Sequence, residues 1–142
     1  MSEPDRAVMR VLEAYRAAVF ARDVDALIGL YDRDVRVFDL WGAWSCDGVD
    51  GWRVIVAGWF DSLGTDRVVV ETDDARTIVG GDLAVAHAFI AFNGVSAEGT
   101  PQRAMCNRLT WALARRGDAW KIVHEHTSAP IDPETTKALL RR

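Results

Sequence analysis

The sequence predicts an α+β fold: a cone-shaped, curved antiparallel or mixed β-sheet packed on three helices from the N-terminal half. Three observations predict it. Up to Gly64, apolar residues recur at spacings of three and four, the mark of helices with one buried face. Beyond Arg67 the chain breaks into runs rich in Val, Ile, Thr and aromatic residues, separated by Gly-Gly and Gly-Asp turns, the mark of strands. The 142 residues, 49% hydrophobic and 27% charged, suit one domain with its own core. Helices first and strands last give helices on one face of a bent sheet, whose open end is where a small ligand would sit.

Each element has its own justification. Ser2-Glu3-Pro4-Asp5 opens the first helix, with Ser2 and Asp5 placed for a capping box and Pro4 tolerated in the first turn. Val8, Leu12, Tyr15, Val19 and Arg22 run down one stripe of it. Asp23 caps a short second helix through Ala26, Leu27 and Leu30-Tyr31. Val35 to Asp39 is the first strand, and Leu40 to Trp44 an apolar loop. Asp50-Gly51 precedes a third helix whose buried face is Trp52, Val56, Trp59, Phe60 and Leu63, stopped by Gly64. Arg67 to Val79 is a long strand bent near Asp73-Asp74, and Leu83 to Phe92 the next. Asn93-Gly94 opens a loop to Pro101. Arg103 to Arg115 and Trp120 to Ser128 complete the sheet. Residues 131–142 form a loose tail, with a helix expected over Glu134 to Arg142.

Composition removes several function classes. With 17 Lys and Arg against 21 Asp and Glu, the net charge is −4, and without a basic cluster nucleic acid is not the expected partner. No stretch approaches about 18 consecutive apolar residues, so no membrane span is expected. The acidic start is unlike a secretory signal, and Cys46 and Cys106 form no metal spacing. The expected setting is therefore reducing and cytoplasmic.

Strand alternation selects the candidate site. In the last strand, Trp120, Ile122, His124 and His126 share one face, while Lys121 and Glu125 share the other. Burying Lys121 and Glu125 is costly, so both histidines are expected to point inward. By the same test Asn107 points inward with Leu109 and Trp111, and Arg108 points outward, toward a possible subunit contact. Asp39, Tyr15, Asn107, His124 and His126 are then expected to meet, walled by Trp41, Trp59, Phe60, Leu109, Trp111, Trp120 and Ile122. A carboxylate among aromatic rings has a raised pKa, which suits a general base. A Tyr hydroxyl and an amide can donate to a developing oxyanion. The set suits proton abstraction beside a carbonyl and needs no metal or cofactor. Each residue also has a plainer reading: Asp39 as a loop cap, Tyr15 as a core residue, Asn107 as a partner for backbone at a bend, the histidines as satisfied core groups. A zinc site would need Asp39 as third ligand to His124 and His126.

Two stretches carry a family resemblance. Tyr15-Arg-Ala-Ala-Val-Phe-Ala-Arg-Asp23, with Leu30-Tyr31-Asp32-Arg-Asp34-Val-Arg-Val-Phe-Asp39, resembles the opening of the bacterial steroid Δ-isomerases of the nuclear transport factor 2-like superfamily. The resemblance covers about residues 5–130. It implies a helix tyrosine, Tyr15, donating to an oxyanion and a strand-end aspartate, Asp39, shuttling a proton. Where that family has a neutral carboxylic acid, this chain has Asn107. Arg108-Leu-Thr110 with Trp120-Lys-Ile-Val-His124-Glu-His126-Thr-Ser128 is similar to SnoaL-like domains and to the calcium/calmodulin-dependent protein kinase II association domain. The resemblances imply a cofactor-independent enzyme acting on a hydrophobic carbonyl compound (steroid, polyketide or terpenoid), with His124 and His126 orienting the ligand. The alternative they imply is a non-catalytic ligand-binding or oligomerising module, a homodimer through the sheet. A third reading, an epoxide-opening hydrolase, would require an arginine between two aspartates inside the cone.

Overall fold

A computed structural model describes residues 1–142. The chain runs α1 (Glu3–Ala21), α2 (Val24–Ile28), β1 (Tyr31–Phe38), β2 (Cys46–Asp47), α3 (Val49–Ser62), β3 (Arg67–Gly80), β4 (Leu83–Val95), β5 (Pro101–Arg116) and β6 (Ala119–Ser128). The helix starts follow local chemistry. Ser2 and Asp5 form the reciprocal capping box on α1, and the Asp23 carboxylate accepts the Ala26 N–H of α2, satisfying otherwise orphaned donors.

One six-stranded sheet has the order β2-β1-β6-β5-β4-β3. β1 and β6 pair parallel, and the remaining neighbours pair antiparallel. The three helices cover one face, here called inner. Val8, Leu12 and Val19 of α1, Val56 and Phe60 of α3, and Val35, Val37, Trp111, Leu113 and Ile122 of the sheet form one core. No helix is long and apolar enough to cross a membrane.

Register shifts interrupt four of the strand pairings, and two of them bear on the shape of the sheet, since bulges bend a strand. One lies between Asp73 and Arg76 of β3, where Asp74 has φ 53°, at the bend expected from Asp73-Asp74. The other is in β6. Leu113 pairs with Ile122 while Ala112 pairs with His124, so Val123 is an extra residue with no partner of its own on β5.

Several expectations are corrected. The second helix stops at Ile28 instead of reaching Tyr31, which opens β1 in place of Val35, and a two-residue strand, β2, joins the sheet outside the expected set. Asn93-Gly94 is not a loop: Gly94 pairs with Val68, and a Cβ there would stand 3.2 Å from the Arg103 carbonyl oxygen. That glycine marks close strand approach, not a turn. The tail does not form a helix over 134–142. Asp132 accepts the Glu134 and Thr135 N–H groups, and Thr136 adopts φ 59°, a conformation incompatible with a continuing helix. The Cys106 N–H then donates to the Leu140 carbonyl (2.7 Å), tying the tail beside the part of β5 that extends past β6.

Candidate functional site

The bulge at Val123 decides which side chains of β6 face the helices. Trp120 packs against the core and Ile122 is sealed within it. After Val123 the alternation resumes one residue out of phase, so Glu125 and Thr127 are buried. His124 and His126 turn to the outer face. This overturns the expectation that the two histidines enter the cone. His124 Nδ1 donates to the Arg36 carbonyl (2.7 Å), and both rings pack edge-on around Phe38, at 4.9 and 5.5 Å. They cannot orient a ligand held by Asp39, nor join it as zinc ligands. No three His, Cys, Asp or Glu side chains come together in a metal-binding group.

Glu125, the residue the sequence reading excluded, occupies the place meant for the histidines. Opposite Trp111 on β5 and beside Val37 on β1, it accepts the Tyr31 hydroxyl (2.6 Å) and the Trp111 indole N–H (2.8 Å), both on Oε1. Burial pushes its pKa up to about 7, against the lowering effect of those two hydrogen bonds, and Asp39 adds to the rise. Nothing in the sequence announces the phase change except two adjacent apolar residues, Ile122 and Val123.

Asp39 directly follows the end of β1 and is partly buried. Its Oδ1 accepts the Thr127 hydroxyl (3.2 Å) and its Oδ2 the Trp41 N–H (3.3 Å). Thr127 Oγ1 in turn accepts the Leu40 N–H (2.8 Å), so the carboxylate is held by a short relay. Partial burial raises the Asp39 pKa despite these hydrogen bonds, the direction expected for a desolvated carboxylate.

Tyr15 projects from α1 into the core, its ring edge-on to Trp111 at 5.6 Å. Its pKa is raised well above the ordinary value, first by burial and then by the negative charges of Glu125 and Asp39. Its hydroxyl takes part in none of the hydrogen bonds that tie Asp39 and Glu125. Asn107 is buried on the inner face as expected, and its Oδ1 has no partner, like the Trp52 indole nitrogen. Unpaired buried polar groups are uncommon and call for a cause.

The walls divide the expected pocket residues. Leu109, Trp111 and Ile122 lie on the inner face, but Trp111 and Ile122 are fully sealed and act as floor. The crevice between α1 and the sheet, lined by Leu12, Leu109 and Trp111, amounts to about 10 Å³, room for one water at most. Phe60 is buried, and Trp59 sits against Phe92 (5.9 Å), whose neighbour Ile90 pairs with Asn107. Trp120 borders the core. Trp41 is 59% exposed, because the loop after Asp39 swings outward, and His126 is exposed. Arg108 faces out, bonded to the Ser128 hydroxyl (3.1 Å), so no arginine stands between acids inside the cone.

Comparisons with known proteins agree with this fold. The SnoaL-like domain family matches residues 8–132. An NTF2-like protein of unknown function from Pseudomonas putida KT2440 is 27% identical, over 98% of this chain and 95% of that one, with a TM-score of 0.85. A protein provisionally described as a calcium/calmodulin-dependent protein kinase II association domain, from Xanthomonas campestris, is 18% identical over 92% and 89% of the two chains (TM-score 0.74). A protein provisionally described as an aromatic ring hydroxylase, from Novosphingobium aromaticivorans, is 22% identical over 90% of each (TM-score 0.69). Comparison with curated proteins finds no match. Three helices on an open, bent, mixed sheet and a match over nearly the whole chain place this protein: it belongs to the SnoaL-like domain family of the nuclear transport factor 2-like superfamily.

Proposed function

We propose that the protein is a small-molecule enzyme that moves a proton on a hydrophobic carbonyl compound without a cofactor. The observation that carries this reading is Asp39: a partly desolvated carboxylate just past the end of β1, held by Thr127, while the Tyr15 hydroxyl stays uncommitted. The Asp39 carboxylate takes a proton from the carbon beside the carbonyl. The C–H electrons move into the new carbon–carbon double bond and the carbonyl pair onto oxygen, where Tyr15 donates a hydrogen bond. Asp39 then returns the proton to the far carbon of the dienolate, and the carbonyl re-forms. The Asn107 amide, buried and unpaired through Oδ1, supplies a second polar contact. Trp111, Tyr31 and Trp52 fill the deep end, which favours compact rings among steroid, polyketide and terpenoid carbonyl compounds.

Turnover of 3-cyclohexenone to its conjugated isomer, followed by absorbance, tests this. Asp39→Asn should cost about 10²–10⁴-fold and Tyr15→Phe about 10²-fold. A wild-type rate in Asp39→Asn removes Asp39 as the base.

A second reading has its own observation. On the outer face Ile78 pairs with Val85, and they are 66% and 36% exposed. Such an exposed apolar pair, on edge strand β3 and its neighbour β4 close to their turn, suits a homodimer through the sheet, with or without catalysis.

A further inference from the structure

Glu125 is the buried ionisable group that the proposed reaction leaves unused. Both of its hydrogen bonds fall on one oxygen: Tyr31 Oη and Trp111 Nε1 reach Oε1 at 2.6 and 2.8 Å. With Oε1 already accepting two donors, a proton on this carboxyl sits on the other oxygen, Oε2. Tyr31 itself packs edge-on to Trp52 at 6.1 Å, and Trp111 edge-on to Tyr15. The Glu125 carboxyl therefore ties together the floor on which the Tyr15 ring rests.

The groups facing Glu125 can be named element by element. β1 contributes Tyr31, α1 contributes Tyr15, and the chain just past β1 contributes Asp39, whose charge acts on Glu125. Trp52 of α3 and Trp111 of β5 add rings. None of these is a cation. His124 and His126, its neighbours along β6, lie on the other face against Phe38, and Arg36 and Arg108 also point outward. An anion at Glu125 would thus stand unneutralised in a desolvated place, beside the carboxylate that the reaction needs charged.

We infer that Glu125 is a positioning residue that sets the alkaline limit of this site. Neutral, it fixes Tyr31 and Trp111 beneath Tyr15 and leaves room for one negative charge inside the cone. Ionised, it supplies that charge itself and opposes an oxyanion forming at the Tyr15 hydroxyl. With Asp39 needing to be ionised and Glu125 neutral, the site works in a window between two carboxyl titrations. The inference takes its oxyanion from the function proposed above, and its geometry from Glu125 alone.

The probe is 2-naphthol, whose ring fits the compact class and whose oxygen stands in for the enolate. Its affinity is measured from about pH 5 to about pH 9 in wild type, Glu125→Gln and Tyr31→Phe. Wild type should lose about tenfold in affinity as pH passes about 7. Glu125→Gln keeps both floor contacts and cannot ionise, so its affinity should stay level over the same range. Tyr31→Phe removes a hydrogen bond that favours the anion, so its loss should begin at higher pH. Intrinsic fluorescence of the free protein, dominated near Glu125 by Trp111, should step at the same pH in wild type and not in Glu125→Gln. A parallel loss in Glu125→Gln, no loss in wild type, or a downward move in Tyr31→Phe overturns the inference. The two proposals fail separately. Full 3-cyclohexenone turnover in Asp39→Asn removes the base, while the naphthol titration still decides Glu125.

Discussion

Glu125 keeps its proton in the folded protein far beyond the pH at which it would lose it unfolded. Its ordinary value is 4.5 and burial raises it to about 7. The sign of the consequence is fixed by proton counting. Between those values the native state holds a proton that the unfolded state has released, so stability falls as pH rises. The neutral form's advantage is complete below about 4.5, is lost progressively up to about 7, and the curve is then flat. The span corresponds to about 3 kcal/mol. Denaturant unfolding of wild type should show that decline, and Glu125→Gln should remove most of it. A slope unchanged in the variant would place the titrating group elsewhere. Glu125→Ala should be harsher at every pH, because it leaves the Tyr31 hydroxyl and Trp111 N–H as buried donors without a partner, at about 1–3 kcal/mol each. At this scale the sequence was partly legible. Helical spacing put Tyr15 inside, and strand alternation did the same for Asn107, because those elements run without interruption up to those residues. The rule that a charge stays out of the core misplaced Glu125, since the two donors that make its burial tolerable come from Tyr31 and Trp111, distant in sequence.

The bulge in β6 is the element on which the site turns. Alternation is a local rule, and one extra residue reverses every side chain beyond it. Up to Ile122 the alternation expected for β6 is correct, and from His124 onward it is inverted. The bulge is invisible in sequence because its cause is the neighbours: Tyr31 pairs with Ile122 and Arg36 with His124 on β1, so β1 too carries extra residues at that level. Both strands bend together and wrap the sheet around α1 and α3. The same reasoning explains Gly94, read as a turn residue but required by the nearness of Arg103. It also explains the tail, where Asp132 and Thr136 divert a helical pattern into a strap along β5. Removing Val123 from the chain provides a direct check. The deletion leaves Leu113–Ile122, Ala112–His124 and Trp111–Glu125 in unbroken register with β5, so Glu125 should stay inside and both histidines outside. The protein should fold with a loss of about 1–3 kcal/mol, and its histidines should remain open to chemical modification at the wild-type rate. A deletion that buries the histidines would show that the bulge does not set the phase.

At the scale of the whole molecule, the sheet separates two chemistries. Its inner side holds acids and hydroxyls: Asp39, Glu125, Thr127 and Tyr31, with Tyr15 of α1 facing them. Its outer face holds Arg36, Arg108, His124 and His126, with Ile78 and Val85 between bulge and turn. The two functional readings therefore occupy opposite sides of one layer, and substitutions can address them one at a time. Val85→Asp places a charge at the exposed apolar pair without touching anything on the inner face. Assembly through the outer face predicts that light scattering gives a dimer for wild type and a monomer for Val85→Asp. Asp39→Asn should remain a dimer while losing turnover. Because Asp39 and Thr127 hold each other within one chain, monomeric Val85→Asp should still turn over 3-cyclohexenone. Loss of turnover in step with loss of the dimer would instead mean that the outer face shapes the cone, and that β6 transmits the contact through its bulge to Glu125.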